Sequence, residues 1–380
     1  MLHSLQTVVP ETVLVQEEVR QVFASQPGLS RLAQRIVSTS FSLSGIERRH
    51  TVISELTLDR VSDDPTFFDA TTGELRLPGT KTRNDLYREA LPPLVLEAAG
   101  RALESAEGFE IDDVTHVITV SCTGFYAPGP DFQLARDLGL PAGVQRYHIG
   151  FMGCYASLPA LRAAAQFCRA DPDAVVLVVS AELCTLHVRS SDDLDTIVAS
   201  SLFSDGVAAG IVSSRAPAAG AAALRLDAFE TVVTPVGEDA MAWTIGDHGF
   251  EMVLSSYVSH IIGDHIEGAL EPLLSREERL RTALADGDVS GRIEHWAIHP
   301  GGRDILDRVQ DRLGLAETQL APARETLRDY GNMSSATVLF VLKNILDREE
   351  VADGDRVAAM AFGPGLTVES ALFTVVRSGG

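Results

Sequence analysis

The stretch Gly150-Phe-Met-Gly-Cys154-Tyr-Ala-Ser-Leu-Pro-Ala-Leu-Arg162 places a single cysteine where a loop turns into an apolar, alanine-rich helix. Pro159 is compatible with the first turn of that helix, where a proline loses no helical hydrogen bond. Residues 160–168 include few polar side chains, which predicts a buried helix. A thiol at the head of a helix faces unpaired N–H groups and the positive end of the helix dipole, and both favour the thiolate. We therefore expect Cys154 to be a nucleophile.

Two later motifs carry groups that can assist a thiolate. His299 lies in Ile-His299-Pro-Gly-Gly, and Asn332 lies in Gly331-Asn332-Met-Ser-Ser-Ala-Thr. An imidazole can accept the thiol proton, lower the pKa of the cysteine and donate to a carbonyl oxygen. An asparagine amide is a neutral donor that suits an oxyanion or an enolate. Each motif alone is also compatible with a structural role, because asparagine after glycine is common in turns.

Composition excludes several classes of protein. The 380 residues carry a net charge of −22, which disfavours nucleic acid as a partner because phosphate binding needs basic patches. No stretch approaches about 18 uninterrupted apolar residues and no signal-peptide pattern is present, so we expect no membrane span and no secretion. The spacing of the cysteines does not suit a metal, so we expect no metal site and free thiols in the cytoplasm. They are Cys122, Cys154, Cys168 and Cys184.

Short apolar runs alternate with helical patterns along the chain, which is typical of an α/β protein of one or two units. The predicted strands are 115–121, 174–180, 207–212, 293–298, 356–361 and 370–376. The predicted helices are 91–106, the helix after Cys154, 252–274, 302–314 and 336–348. Residues 217–223, Pro-Ala-Ala-Gly-Ala-Ala-Ala, form the best candidate for a boundary between two halves.

The three motifs are joined by Leu-Phe203-Ser-Asp-Gly-Val-Ala-Ala and Phe362-Gly-Pro-Gly-Leu366 in the same order as in a known family. Over nearly its whole length the chain resembles the type III polyketide synthases, the chalcone-synthase-like branch of the thiolase superfamily, in their bacterial form. The resemblance implies a duplicated αβαβα fold in five layers. It divides the chain into residues 1–215, with the nucleophile, and residues 224–380, with the histidine and asparagine.

The resemblance also implies the chemistry. An acyl starter is loaded on Cys154, and His299 and Asn332 polarise a malonyl thioester so that loss of CO₂ yields a stabilised enolate. The enolate attacks the acyl group, and the extended chain finally cyclises. The implied enzyme is a cytoplasmic homodimer with no cofactor. Its substrates are malonyl-CoA and a starter thioester, carried either by CoA or by an acyl-carrier protein.

Further matches mark residues expected to contact the substrate. Phe203 matches the aromatic gate between the CoA tunnel and the reaction cavity, and Met252 stands where a second gate aromatic is expected. Ala127 stands where a methionine usually projects across the dimer, which predicts space for a long aliphatic chain. The changes at Cys122, Cys184 and His187 are equally compatible with simple packing. The other matched cavity residues are Thr123, Ser334, Gly363, Pro364 and Gly365.

The basic cluster that holds the CoA phosphates in plant enzymes is the family feature that this sequence lacks. Alignment of 46–50 with the family puts Ile36, Thr39 and Leu43 near the basic positions, although Arg48 and Arg49 lie close by. The position of the CoA phosphates therefore stays open, and so does delivery of the starter by a carrier protein.

The sequence predicts a medium- to long-chain fatty acyl starter and an alkylresorcinol or alkylpyrone product. The main alternative is a malonyl- or small-aryl-primed synthase that makes a polyhydroxylated aromatic. A Cys-His-Asn cysteine protease is a remote alternative, because residues 151–155 lack the papain-type Cys-Gly-Ser/Ala-Cys signature. A non-catalytic thiolase-like binding protein is equally remote. No motif reports the number of extensions or the mode of cyclisation.

Overall fold

The computed structural model describes residues 1–255 and 257–377. Its strands are β1 Leu2–Val8, β2 Thr12–Val15, β3 Arg48–Thr51, β4 Phe68–Asp69, β5 Glu74–Leu75, β6 His116–Ser121, β7 Gln145–Gly150, β8 Val175–Leu183, β9 Asp205–Ser213, β10 Ala222–Val233, β11 Met241–Gly246, β12 Gly249–Leu254, β13 His295–Ile298, β14 Arg356–Gly363 and β15 Thr367–Arg377. Its α-helices are α1 Gln16–Ala24, α2 Arg31–Leu43, α3 Thr80–Glu104, α4 Pro130–Asp137, α5 Ser157–Ala170, α6 Leu194–Leu202, α7 Val258–Leu274, α8 Glu278–Asp286, α9 Arg303–Leu313, α10 Glu317–Tyr330 and α11 Thr337–Leu346.

One strand arrangement occurs twice in the central sheet. The N-terminal half has the order β1-β9-β8-β6-β7, and the C-terminal half has the order β10-β15-β14-β13. In both halves the first three strands are antiparallel neighbours, and the next pair, β8–β6 or β14–β13, is parallel. The halves join where Leu2 of β1 pairs with Leu224 of β10. The fold is therefore internally duplicated, as the resemblance implies.

The helices complete the layers. α5 and α11 pack between the two halves of the sheet, because α5 contacts β8 and β15 while α11 contacts β9 and β14. α3 covers the outer face of the N-terminal strands, and α7 covers the outer face of the C-terminal strands. The central strands β8 and β9 are buried along their whole length, as expected for strands covered on both faces.

The six predicted strands all occur, with ends that differ by a few residues, but two helix predictions need correction. Residues 249–254 belong to strand β12, which pairs with β11 in a hairpin, so the helix predicted from residue 252 begins only at Val258. Helix α3 begins at Thr80 and contains Pro92 and Pro93, which the sequence places at the helix start. The predicted boundary 217–223 falls between β9 and the first residues of β10.

Candidate active site

Cys154 lies in the turn that leads into α5, three residues before the helix begins. The residue is 9% exposed, and the side chains of Ser334 and Asn332 lie near enough to its thiol to lower the pKa of that thiol. Cys184 and Phe203 pack in the same small apolar cluster as Cys154. The nucleophile predicted by the sequence therefore sits beside predicted residues from both halves of the chain.

The loop 363–365 closes over the turn that holds Cys154. A Cβ atom on Gly363 would lie 2.5 Å from Cδ1 of Tyr155 and 3.5 Å from the backbone nitrogen of Cys154. A Cβ atom on Gly153, where φ is +83°, would lie 2.6 Å from Cδ of Pro364. Because no side chain fits at either glycine, the two backbones can approach closely.

Asn332 is oriented by its own turn. Its Oδ1 accepts hydrogen bonds from the backbone N–H of Ser334 at 2.9 Å and from Oγ1 of Thr337 at 3.4 Å. With its oxygen occupied, the amide presents its NH₂ group to the site, where Nδ2 also lies 3.4 Å from the carbonyl oxygen of Gly301. Asn332 is thus arranged as a hydrogen-bond donor beside Cys154.

Phe203 and Asn332 are joined through their backbones. The N–H of Asn332 donates to the carbonyl oxygen of Leu202, and the N–H of Ser204 donates to the carbonyl oxygen of Asn332, both at 2.9 Å. The carbonyl oxygens of Phe203 and Ser200 each accept a hydrogen bond of 2.8 Å from Nη1 of the buried Arg49. The expected gate residue and the expected donor therefore form one fixed unit.

His299 lies directly after β13, and its backbone N–H donates to the carbonyl oxygen of Met360 at 2.8 Å. The side chain is 1% exposed, and within residues 1–255 and 257–377 neither ring nitrogen has a hydrogen-bond partner. A Cβ on Gly301 would lie 3.7 Å from Cδ2 of His299, so the segment that contacts Asn332 also packs on the imidazole.

The expected thiolate is not the form that the unliganded site favours. Burial raises the pKa of the Cys154 thiol to about 12, despite the hydrogen bonds from Ser334 and Asn332. Burial also lowers the pKa of His299 to about 3, so both groups are neutral around pH 7. Cys154 lies before the helix rather than on its first residue, and among the described residues the imidazole of His299 has no hydrogen-bond partner that would offset burial. Burial therefore opposes the thiolate that the sequence leads us to expect, and the thiolate form of Cys154 stays a prediction.

A buried carboxylate, Glu182, lies behind the nucleophile and was missed by the sequence analysis. It accepts hydrogen bonds of 3.0 Å from the backbone N–H of Cys122 and from Oγ1 of Thr123, and a further one from the hydroxyl of Ser335. Burial raises its pKa. Sγ of Cys122 lies 3.3 Å from Oγ of Ser334, which links Glu182 to the site. A glutamate inside an apolar strand was the signal that could have revealed it.

His187 is a fixed neutral imidazole. The N–H of Phe250 donates to its Nδ1 at 3.0 Å, so its Nε2 carries the proton and donates to the carbonyl oxygen of Thr123 at 2.9 Å. Burial lowers its pKa to about 3. Trp243, which the sequence analysis did not select, contacts this ring edge-on and donates from Nε1 to the carbonyl oxygen of Cys122 at 2.9 Å.

A cavity of about 910 Å³, counted to its open mouth, adjoins this cluster. Cys184, His187, Phe203 and Met252 line it, together with Trp243. The opposite wall is largely aliphatic and comes from β2, α1, residues 56–58 and the β4–β5 hairpin: Val13, Leu14, Val15, Val19, Val22, Phe23, Leu56, Leu58, Phe68 and Leu75.

Ala127 does not line this cavity but lies exposed in the loop before α4. Its predicted role as a cavity residue therefore stays a prediction for the assembled dimer. Ile36, Thr39 and Leu43 lie on α2, which contributes no side chain to the cavity wall. Of the other predicted contacts, Thr123, Ser334 and 363–365 lie around Cys154 rather than in the cavity wall.

Residues 1–255 and 257–377 contain neither a metal site nor a membrane-spanning helix. No three His, Cys, Asp or Glu side chains are grouped in a way that would hold a metal ion. No helix in this part of the chain is both long enough and apolar enough to cross a membrane.

Comparison with known proteins decides the family. The model for the N-terminal domain of chalcone and stilbene synthases matches residues 1–216, and the model for their C-terminal domain matches residues 226–377. The chain belongs to this family of type III polyketide synthases. The synthase is therefore an acyltransferase with a thiolase-like fold, and the protease alternative is excluded.

Three relatives indicate how widely the family is spread. The synthase is 30% identical over 334 residues to the alpha-pyrone synthesis polyketide synthase-like Pks18 of Mycobacterium tuberculosis, covering 85% of this chain and 81% of Pks18. It is 30% identical over 369 residues to 1,3,6,8-tetrahydroxynaphthalene synthase of Streptomyces coelicolor, covering 96% of this chain and 89% of that enzyme. The crystal structure of the latter enzyme matches with a TM-score of 0.84 at 28% identity, covering 99% of both chains. The chain spans 9% of the length of probable polyketide synthase 1 of Dictyostelium discoideum, to which it is 34% identical over 286 residues, or 75% of this chain.

Proposed function

We propose that the synthase transfers a medium- to long-chain fatty acyl starter to Cys154, extends it with malonyl-CoA and releases an alkylresorcinol or alkylpyrone. The observation that carries this proposal is the largely aliphatic cavity that begins at Cys184 and Phe203, both packed with Cys154. An alkyl chain held by Cys154 would bury its methylenes there, and each buried methylene contributes about 0.8 kcal/mol. The similarity to a relative named for alpha-pyrone synthesis agrees with this proposal.

In the proposed mechanism His299 accepts the thiol proton as Cys154 attacks the starter thioester, and the proton leaves with the released thiol. This order agrees with the neutral forms that burial favours in the unliganded site. The amide of Asn332 and the imidazole of His299 then donate to the carbonyl oxygen of the malonyl thioester. Loss of CO₂ gives an enolate, whose carbon attacks the acyl carbonyl and frees Cys154. The extended chain now resides on the incoming thiol, and Cys154 must take it back by a second thioester exchange, which releases that thiol, before the next extension.

We also propose that the synthase is a cytoplasmic homodimer without a cofactor. β7 is an edge strand whose residues 145–148 are exposed, and Phe125, Phe132 and Tyr147 lie exposed near it. Such an aromatic edge would be covered by a second copy. The described cysteines are all free, which suits the cytoplasm. Sedimentation at micromolar concentration tests the dimer, and a stable active monomer would exclude it.

The test of function is incubation of the enzyme with malonyl-CoA and a panel of starter thioesters, followed by identification of products by mass. The panel contains acetyl, benzoyl and fatty acyl groups, each on CoA and on an acyl-carrier protein. We expect the fatty acyl starters to give the highest kcat/KM. Conversion of malonyl-CoA alone, with no use of fatty acyl thioesters, would contradict the proposal.

That result would support the alternative, a malonyl- or small-aryl-primed synthase making a polyhydroxylated aromatic. The observation in its favour is the similarity, across nearly the whole chain, to 1,3,6,8-tetrahydroxynaphthalene synthase. Trp243 and His187 also make the wall next to Cys122 aromatic and rigid, which suits a planar product.

A further inference from the structure

We propose that Arg49, on β3, is a positioning residue for decarboxylation, because its side chain fixes the backbone that holds Asn332. Arg49 belongs to none of the motifs that carry the reacting groups. The proposal rests on the role assigned to Asn332 in the loss of CO₂. It does not depend on the starter, so it holds or fails independently of the proposed fatty acyl function.

The guanidinium of Arg49 fixes the end of α6, which we define as residues 200–203. Nη1 donates hydrogen bonds of 2.8 Å to the carbonyl oxygens of Ser200 and Phe203. Carbonyl groups at the end of a helix lack helical partners, and a cation there also meets the negative end of the helix dipole. Leu202, whose carbonyl oxygen accepts the N–H of Asn332 at 2.9 Å, lies between the two anchored residues. Arg49 therefore fixes the α6 end on both sides of the hydrogen bond that holds Asn332.

The aliphatic part of Arg49 contacts the other side of this backbone pairing. A Cβ atom on Gly331 would lie 2.9 Å from Cγ and 3.1 Å from Cδ of Arg49, and 3.0 Å from the carbonyl oxygen of Leu202. Glycine at this position lets the three groups approach closely. Because Gly331 directly precedes Asn332, one side chain contacts both partners of the pairing between Phe203 and Asn332.

Arg49 is itself held firmly. It is 3% exposed, and its guanidinium carbon lies 5.7 Å from the centroid of the Phe41 ring on α2. Its strand pairs with β2, where Arg49 is opposite Leu14. The N–H of the next residue, His50, donates to Oγ of Ser204 at 2.8 Å, so β3 is attached to the chain beyond the α6 end as well. A side chain fixed at so many points can fix its neighbours in turn.

The charge of Arg49 is costly to bury. Within residues 1–255 and 257–377 its Nε has no hydrogen-bond partner, and the nearby counter-charge is the carboxylate of Asp205. Burial lowers the pKa of Arg49 to about 10, and the negative charge of Asp205 opposes that shift, so the guanidinium is charged at pH 7. An apolar side chain would fill such a site at lower cost, so stability alone does not account for an arginine here.

The first measurement is the release of CO₂ from malonyl-CoA by the wild type and by Arg49→Met. The variant should have a kcat about 10- to 100-fold lower, because a misplacement of about 1 Å at a reacting centre can cost about 10²-fold in rate. Alkylation of Cys154 by iodoacetamide should be no slower than in Asn332→Ala, since Arg49 holds the donor and not the thiol. Release of CO₂ at the wild-type rate, or slower alkylation than in Asn332→Ala, would overturn the proposal.

The second measurement asks whether Arg49 acts through Asn332. In the Asn332→Ala background, Arg49→Met should cause no further fall in the release of CO₂, because the donor to be positioned is already gone. A residue that merely supports the fold would lower the rate by the same factor in both backgrounds. Effects that multiply in the double variant would therefore exclude the positioning role.

Two further variants separate positioning from loss of stability. Arg356→Met is the matched control, because the Arg356 side chain is only 11% exposed, pairs with Glu277 and also has a buried Nε without a partner. It should release CO₂ at the wild-type rate even if it unfolds more easily. Arg49→Lys keeps the charge but not the planar fork, so its kcat should fall only about tenfold. If Arg49→Met does not fold, Arg49→Lys takes its place in both measurements, and a wild-type rate in Arg49→Lys would then overturn the proposal.

Discussion

The turns that lead into α5 and α11 occupy equivalent places in the two halves of the synthase but carry different functional groups, a nucleophile in one and a hydrogen-bond donor in the other. Each follows a glycine with positive φ, Gly153 at +83° and Gly331 at +70°, and each helix leads into a buried strand. The first turn presents the thiol of Cys154. The second presents the amide of Asn332. Duplication of one layout thus gave two helix starts that face each other, and the nucleophile and the donor were divided between them.

The comparison also explains the electrostatics of the site. Oγ of Ser157, at the start of α5, donates to the carbonyl oxygen of Ser335 at 2.5 Å, so the two helix starts are in contact. The positive ends of both helices therefore lie close together near Cys154 and Asn332, where they would stabilise a negative charge that develops during reaction. A permanent thiolate gains from the same field but loses the larger solvation energy, which is why burial raises the pKa of Cys154.

Removing the nucleophile from the first turn should have the largest effect. Cys154→Ala should abolish both acyl loading and product, because the thioester has no sulfur to form on. Intact-protein mass after incubation with an acyl thioester measures the loading. The matched control is Cys168→Ala, a buried cysteine of α5 that lies away from the site. A persistent acyl adduct in Cys154→Ala would show that another residue is the acceptor.

Removing a donor from the second half should have the next largest effect. Asn332→Ala and His299→Ala should each slow decarboxylation of malonyl-CoA by about 10²-fold or more, the scale for loss of one oxyanion donor. Release of CO₂ measures the step. Asn344→Ala, on the outer side of α11 where its amide contacts Glu325, should retain the wild-type rate. Decarboxylation at the wild-type rate in both site variants would remove their assigned roles.

The proposed proton transfer from Cys154 to His299 predicts an effect on the pH dependence of cysteine alkylation. Burial raises the pKa of the thiol, so below that pKa the neutral thiol dominates and His299 must take its proton. His299→Ala should therefore shift the iodoacetamide alkylation profile of Cys154 to higher pH by at least about one unit. Parallel measurements on Cys154→Ala subtract the other thiols. Identical profiles in the wild type and His299→Ala would show that the histidine does not assist the thiol.

The close approach of the first turn to the loop 363–365 predicts the smallest effect, on stability. Gly153→Ala should lower the free energy of unfolding through its positive φ and through the overlap with Pro364. Gly28→Ala is the matched control, because Gly28 has φ of +84° and no atom within 4 Å of an added Cβ. Chemical denaturation should place Gly153→Ala about 1–3 kcal/mol below Gly28→Ala. Equal free energies of unfolding in the two variants would mean that the loop 363–365 moves aside without loss of stability.

Buried strands and the motif residues were predictable from the sequence because each carries a local signal. Continuous apolar runs predicted β8, β14 and β15, and a cysteine ahead of a helix predicted the nucleophile. Residues 252–254 of β12 were predicted as part of a helix, because the exposed and buried residues of the β11–β12 hairpin do not alternate regularly. Periodicity identifies an element only where one face is consistently buried.

The pKa values and the cavity could not be predicted, because they depend on contacts between distant segments. The position of Cys154 beside a helix indicated a lowered pKa, whereas its burial by Phe203 and Cys184 raises it. The direction of the aliphatic cavity depends on α1 and residues 56–58, which carry no motif. The sequence predicted space for an aliphatic chain at Ala127 because alanine is small. The exposure of Ala127 depends on the fold and could not be predicted from the sequence.

The backbone hydrogen bonds between the segments of Phe203 and Asn332 give the expected gate and the expected donor one shared support. Because the backbones are joined at Leu202 and Ser204, rotation of the Phe203 side chain about its own bonds could open the expected gate without displacing the amide of Asn332. A substitution that shifts either backbone segment would therefore displace the expected gate and the expected donor together.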